Sequence, residues 1–185
     1  MEQQREWRAK GLVTNLAINL SAHDLDEHLP LFVLDVLADT GVPAGAVSFE
    51  VTEGVIMDNP ERALECLNQL HDVGTRIALD DFGTGHSALS YLSELPVSEL
   101  KIDRSFVQAA LTRNRDRIIL ESIVRLGTRL DLDVVAEGVK DHATLDLLKA
   151  IGCPTAQGYF FTRPLSPAKV FEWLESGASG VRRAA

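Results

Sequence analysis

The 185-residue sequence lacks several features that mark particular classes of protein. It has no run of about 18 apolar residues, so no segment is predicted to span a membrane. Its first residues are polar and charged, which is not the pattern of a signal peptide. Its two cysteines, Cys66 and Cys153, are isolated, which disfavours a disulfide framework or a zinc site. We expect both to be buried, reduced thiols in a cytosolic protein.

Positive charge is also scarce. Lysine and arginine together number 18 against 27 aspartates and glutamates, and the net charge is −9. A chain this acidic does not bind nucleic acid through a general basic surface, so DNA is not an expected partner. An anionic ligand would need local neutralisation, for which a bound metal ion is the natural candidate.

What the sequence does contain is an alternation of strand and helix patterns. Stretches with helical periodicity, such as Ala63, Leu67, Leu70 and Val73, separate most of the apolar segments. Asp24, Asn59 and Ser166 stand where helix N-caps are expected. This alternation predicts an α/β fold with a parallel sheet. The six predicted strands begin near Val13, Ala46, Thr75, Ser98, Asp131 and Thr155.

The spacing of the strands favours a barrel. Polar residues that mark the six strands recur about every 28 residues, close to the roughly 31 residues per unit of an eight-unit barrel. We therefore predict a (β/α) barrel, with a doubly wound open sheet as the alternative. The open-sheet nucleotide-binding fold is less favoured, because no GxGxxG or GxxxxGK[ST] loop follows any strand.

The predicted barrel is incomplete, with six of eight strands present. The two missing strands are expected before Met1, and the opening EQQREWRAK is expected to be the end of a helix. Residues 1–176 are predicted to form the barrel domain, and 177–185 a flexible C-terminal tail.

Polar groups stand at the end of every predicted strand. In a barrel these ends converge on the C-terminal face, where such enzymes hold their chemistry. Five of the side chains are carboxylates, which repel one another unless cations lie between them. An all-oxygen ligand set suits Mg²⁺ or Mn²⁺ better than structural zinc. The convergent side chains are Asn19, Glu50, Asp80, Asp81, Lys101, Asp103, Glu137 and Gln157.

The adjacent acids Asp80 and Asp81 are the most informative pair. Neighbours on a strand face opposite ways, so two adjacent acids in one mouth require the strand to end there. An aspartate shared by two metal ions, beside a second acid, fits in-line phosphodiester hydrolysis. Lys101 is then a positive group beside the water or the phosphate, and Glu137 a metal ligand or general base.

Simpler explanations exist for each of these residues. An acid at a strand end is often an N-cap or a surface charge, and Lys101 and Asp103 would make an ordinary ion pair. Asn19 would suit a turn, Gln157 a buried amide, and His86 a loop surface. The recurrence of a polar group at the same end of six consecutive strands favours the site.

Six motifs in this order resemble the EAL-domain family of cyclic di-GMP phosphodiesterases: INLS, FEVTE, ALDDFGTG, LKIDRSFV, VVAEGV and AQGYFFTRPL. The resemblance runs from about Val13 to Leu174. It implies a TIM-like barrel, two Mg²⁺ or Mn²⁺ ions, and hydrolysis of cyclic di-GMP to linear pGpG. It further implies a homodimer in the cytoplasm, an upstream sensory or GGDEF-type domain in the parent protein, and a parent that can be membrane-tethered through absent segments.

The resemblance also implies a role for each matching residue. Asn19, Glu50 and Asp80 match ligands of the first metal ion, and Asp80, Asp81 and Glu137 match the second-metal side. Glu137 is also a candidate base, and Lys101 matches the lysine that holds the catalytic water. Glu53 matches the acid that anchors the loop from Phe82 to Ser87. Asp103 and Gln157 match further polar positions at the substrate.

Three departures from the family pattern bear on function. The Glu-Ala-Leu signature is absent, and with it a metal-binding glutamate and the phosphate-binding arginine that follows. Lys140 replaces the last acid of EGVE, and His86 replaces a loop tyrosine. We therefore expect the parent domain to be the hydrolase, and residues 1–185 alone to be weak or inactive. The alternatives are a non-catalytic cyclic di-GMP sensor and a dimerisation module.

Overall fold

A computed structural model describes residues 1–83 and 92–175. The loop from Phe82 to Ser87 therefore lies mostly outside the described residues, as do His86 and the predicted tail. The described strands are β1 (Leu16–Asn19), β2 (Val47–Thr52), β3 (Arg76–Phe82), β4 (Glu99–Ile102), β5 (Asp133–Ala136) and β6 (Thr155–Ala156). The described helices are α1 (Glu2–Ala9), α2 (Leu29–Thr40), α3 (Glu53–Asp58), α4 (Pro60–Asp72), α5 (Arg104–Ala109), α6 (Asn114–Arg129), α7 (His142–Ala150) and α8 (Pro167–Glu175).

Strand order in the sheet equals strand order along the chain, from β1 to β6. The registers of β1 with β2, β2 with β3, β4 with β5 and β5 with β6 are all parallel. Helices occupy most of the connections, as parallel neighbours require. A doubly wound sheet would reverse its order at a switch point, so the order observed is that of a barrel. The prediction of six parallel strands is confirmed.

The chain divides into two compact units. The first comprises Met1–Asp80 and Gly85–Ser98. Within it, Val47, Phe49 and Val51 are fully or almost fully buried. These alternate along β2 with Ser48 and Glu50, which therefore lie on the other face of the sheet. Burial of side chains such as Phe49 contributes roughly 1.5–3 kcal/mol each, which fixes β2 and the face on which Glu50 stands.

The second unit comprises Asp81–Thr84 and Glu99–Ala185. Its longest helix, α6, buries Leu120 and Val124 and lies close to β5 at Gly127. A methyl group at Gly127 would overlap the side chain of Val134 and approach Leu100 Cδ2 to 3.3 Å. Glycine thus allows α6 to pack closely on β4 and β5. Lys101 lies on β4, and Glu137 directly follows β5.

Two of the three predicted caps stand at the start of a helix, because Asn59 directly precedes α4 and Ser166 directly precedes α8. The Asn59 side chain accepts a hydrogen bond from the Arg62 amide at 3.3 Å, which caps α4 as predicted. The prediction for Asp24 is wrong, because α2 begins at Leu29 and its N-cap residue is His28. Asp24 instead accepts hydrogen bonds from the Ser21 amide and hydroxyl at 2.7 and 2.6 Å. Its short side chain closes a local turn, which competes with capping.

Neither cysteine is in a disulfide, and the expectation of burial holds for Cys66, whereas Cys153 is only half-buried. Burial raises the pKa of each thiol to about 11, from an ordinary value of 9.0. Below pH 9 each thiol should therefore hold about a hundredfold less thiolate than an ordinary cysteine.

We accordingly expect iodoacetamide to modify the folded chain slowly at pH 7.5 and rapidly in urea. Unfolded thiols ionise from about pH 9.0 and the folded ones near 11, so the free energy of unfolding should fall as pH rises through this window. Rapid modification of the folded chain at neutral pH, measured by mass spectrometry, would contradict the assignment.

None of the described helices combines the length and the apolar composition that a membrane span requires.

Candidate metal-binding active site

In the first unit, the parallel register places three predicted ligands on one face of the sheet. Asn19 is the register partner of Glu50, and Glu50 is the register partner of Ala78. Register partners share a face, and Asp80 lies two residues beyond Ala78, so it shares that face as well. Glu50 is buried with 9% exposure, whereas Asn19 is exposed. The Leu20 amide donates to the Glu50 carbonyl at 2.9 Å and extends the pairing past the end of β1.

Glu53, the predicted loop anchor, is the first residue of α3 and is only 4% exposed. The Thr52 hydroxyl accepts a hydrogen bond from the Val55 amide at 3.4 Å and caps the helix there. Helix α3 therefore begins directly after strand β2, and Glu53 is buried at this boundary. The loop it is predicted to anchor lies mostly outside the described residues, so the anchoring role stays a prediction.

Asp81 has an unusual backbone conformation, with a φ of 51°. Residues other than glycine seldom adopt this left-handed region, and aspartate and asparagine do so more readily than most. We predicted that the strand ends at this pair, with Phe82 and Gly83 supplying the end, and β3 does end at Phe82. The backbone of Asp81 also breaks the alternation of faces just before that end. Such strained residues cluster at functional sites.

In the second unit, Lys101 and Glu137 form an ion pair. Lys101 Nζ lies 2.9 Å from Glu137 Oε1, and their side chains are only 6% and 21% exposed. Lys101 is the register partner of Val135, and Glu137 follows two residues later on the same face. The Glu137 amide donates to the Ile102 carbonyl at 3.1 Å, which continues the pairing past the end of β5. Sheet register thus brings the two charges together.

Asp81 and Glu137 each offer a carboxylate oxygen, and these two oxygens lie within 4.8 Å of each other. Asp80 directly precedes Asp81 in the chain and is the last residue of its stretch in the first unit. Carboxylate oxygens are hard donors and suit a divalent cation such as Mg²⁺ or Mn²⁺. The donor set therefore fits the predicted kind of metal ion.

The two remaining predicted residues have local roles of their own. Asp103 caps α5, because its carboxylate accepts hydrogen bonds from the amide of Ser105 at 2.9 Å and from the Ser105 hydroxyl. Gln157 is exposed, which argues against the buried-amide explanation. Its backbone donates to the Ala136 carbonyl at 2.8 Å and accepts from the Val139 amide at 3.0 Å. Their predicted contacts with substrate remain predictions.

Helix α5 lies against the segment that carries Glu137. The sequence did not indicate this contact. Gln108 Nε2 donates a hydrogen bond of 2.8 Å to the Gly138 carbonyl. Gly138 has a φ of 76°, and a methyl group on it would overlap the Arg104 side chain and lie 3.2 Å from Arg104 Cα. α5 has six residues, too few for helical periodicity to be recognised. Asp103 at its N-cap was the available signal.

Comparison with known proteins identifies the family of this chain. The model of the EAL domain matches residues 1–164. A cyclic di-GMP phosphodiesterase of Pseudomonas aeruginosa is 34% identical over 175 residues, 94% of this chain and 30% of that protein. The Escherichia coli oxygen sensor protein DosP is 40% identical over 176 residues, 94% of this chain and 22% of that protein. The chain thus spans less than a third of either relative.

Among solved structures, the PaMucR phosphodiesterase in complex with c-di-GMP is 38% identical and superposes with a TM-score of 0.85. The match covers 91% of this chain and 69% of that one. With its six parallel strands in barrel order and a family match over residues 1–164, this chain belongs to the EAL domain family and has the fold of a partial TIM-like barrel.

Proposed function

We propose that this chain carries most of the active site of a domain that hydrolyses cyclic di-GMP to linear pGpG. The observation that carries the proposal is the ion pair between Lys101 and Glu137, 2.9 Å long, with the Asp81 carboxylate within 4.8 Å of Glu137. Glu137 is half-buried and lies beside a cation, Lys101, and a second acid, Asp81. A carboxylate in such surroundings is suited to accept or donate a proton during catalysis. Membership of the EAL family and the phosphodiesterase relative support the substrate and the reaction.

Each residue has a proposed part in the reaction. Glu137 accepts a proton from the attacking water, and Lys101 stabilises negative charge beside it. Asn19, Glu50 and Asp80 are assigned to one metal ion, and Asp80, Asp81 and Glu137 to a second. Bound Mg²⁺ or Mn²⁺ supplies Lewis-acid activation of water and stabilisation of the leaving oxygen. Asp103 and Gln157 are assigned to the substrate side, and Glu53 to holding the adjoining loop.

The test is hydrolysis by a full-length protein that contains these residues, assayed with Mn²⁺. We expect pGpG to form, as measured by chromatography, and to require the divalent ion. For residues 1–185 alone we expect little or no hydrolysis, because the family's signature glutamate and phosphate-binding arginine are absent from the sequence. Failure of the full-length protein to form product, with its metal ligands intact, would reject the proposal.

A second candidate is a sensor that binds cyclic di-GMP without cutting it. A full-length protein that also lacks the Glu-Ala-Leu signature would favour it. Calorimetry on the full-length protein distinguishes the two, because a sensor binds the nucleotide without turnover. The absence of both binding and turnover would exclude both candidates and leave the dimerisation module. The homodimer, the upstream sensory or GGDEF-type domain and the cytoplasmic location belong to this proposal as well.

A further inference from the structure

Within the described part of the chain, four hydrogen bonds involve the backbone of the segment from Glu137 to Val139. Three of them join backbone to backbone: the Glu137 amide to the Ile102 carbonyl, the Val139 amide to the Gln157 carbonyl, and the Phe160 amide to the Val139 carbonyl, at 3.0–3.1 Å. The fourth is of a different kind, because the Gly138 carbonyl accepts from the side chain of Gln108 at 2.8 Å. This bond is the one of the four that a side-chain substitution can remove.

The Gln108 bond reaches the peptide unit directly after Glu137. Gln108 lies on α5, 30 residues before Gly138, so the bond ties a helix to the end of β5. The neighbouring contact is tight, since a methyl group on Gly138 would lie 3.2 Å from Arg104 Cα. Asp103 caps this helix through Ser105, which fixes where α5 begins. The Glu137 backbone is thus held on one side by the sheet and on the other by α5.

We propose that Gln108 is a positioning residue, which acts through the Gly138 carbonyl to hold the Glu137 carboxylate at its place beside Lys101. The inference rests on the proposed role of Glu137 as metal ligand and base. Partners beyond the direct ligands commonly change metal affinity by about 10- to 100-fold when they are removed. Gln108 touches a backbone carbonyl and not the ligand itself, so the lower end of that range is expected.

The test uses Gln108→Met in the chain of residues 1–185. Methionine matches the length of glutamine and lacks the N–H donor. We expect the amides of Glu137 and Val139 to exchange hydrogen about fivefold faster in the metal-free variant, the factor of a single neutral hydrogen bond. We also expect Mn²⁺, titrated by electron paramagnetic resonance, to bind about tenfold more weakly.

Two further variants separate positioning from a general loss of stability. Gln4→Met removes a bond of the same chemistry, from Gln4 Nε2 to the Thr14 carbonyl at 2.7 Å, and should leave both readouts within twofold of the unsubstituted chain. Gln108→Glu keeps the size of the side chain but only accepts hydrogen bonds when ionised, so it should behave like Gln108→Met.

Unchanged exchange at Glu137 and Val139 in Gln108→Met would overturn the proposal. So would a Gln108→Glu variant with normal exchange and normal Mn²⁺ affinity, or equal effects in Gln4→Met. If the unsubstituted chain binds no Mn²⁺, the exchange rates alone decide whether Gln108 holds this segment, and the metal site is judged by Mn²⁺ binding to the full-length protein.

Discussion

Gly158→Ala is expected to destabilise the chain by about 3 kcal/mol or more, or to prevent folding. A methyl group there would overlap the backbone of Val139, lying 2.7 Å from its carbonyl carbon. Val139 has little room to move, because its amide and carbonyl bond to Gln157 and Phe160. The measurement is the free energy of unfolding in urea, followed by circular dichroism.

Two other glycines provide controls for this result. Gly152 has a φ of 75° and no atom within 4 Å of an added methyl group, so Gly152→Ala measures the cost of backbone conformation alone, about 1 kcal/mol. Gly45 has an ordinary φ and its nearest neighbour is 3.9 Å away, so Gly45→Ala should change stability by less than that. A Gly158→Ala variant as stable as Gly45→Ala would contradict this prediction. It would show that the backbone around Val139 can shift to accommodate the methyl group at little cost in stability.

Glu137→Gln is expected to lower kcat for cyclic di-GMP hydrolysis by roughly 100-fold or more in a full-length protein that contains this chain. Glutamine cannot accept the proton from water, and it removes the negative charge that lies 2.9 Å from Lys101 Nζ. The loss should fall on kcat more than on KM, because the proton moves only on the way to the transition state. Steady-state formation of pGpG at saturating Mn²⁺ gives both constants.

Glu121→Gln is the matched control for this substitution. Glu121 also pairs with a cation, Arg125, at 2.6 Å, but on the surface of α6. Exposed pairs four residues apart on a helix contribute only about 0.3–0.5 kcal/mol, so hydrolysis should stay within twofold. If Glu137→Gln retained more than a tenth of kcat, Glu137 would not be the base and its role would reduce to binding.

The sequence predicted the strands well because each couples an apolar run to a polar end. β2 and β3 illustrate this, since Phe49 and Leu79 are buried and Glu50 and Asp80 share a face. The order of the strands followed from their regular spacing. Register along a buried strand then decided which acids share a face, as at Lys101 and Glu137.

What the sequence did not predict depends on contacts between distant residues. α3 and α5 have only six residues each, and so short a helix depends on tertiary packing. The bond from Gln108 to Gly138 spans 30 residues and involves a backbone carbonyl, which has no sequence pattern. Asp24 was misassigned because a turn with Ser21 and a helix cap need the same side chain.

The left-handed backbone at Asp81 restricts how this domain can change over time. With a φ of 51°, the position accepts glycine, asparagine and aspartate far more readily than other residues. Of these three, only aspartate carries a charge. A lineage that gives up this carboxylate but keeps the fold therefore has two easy routes, Asp81→Asn and Asp81→Gly. Each is one nucleotide away from an aspartate codon. A single base change is therefore enough to turn this charged position into an uncharged one while the backbone conformation is kept.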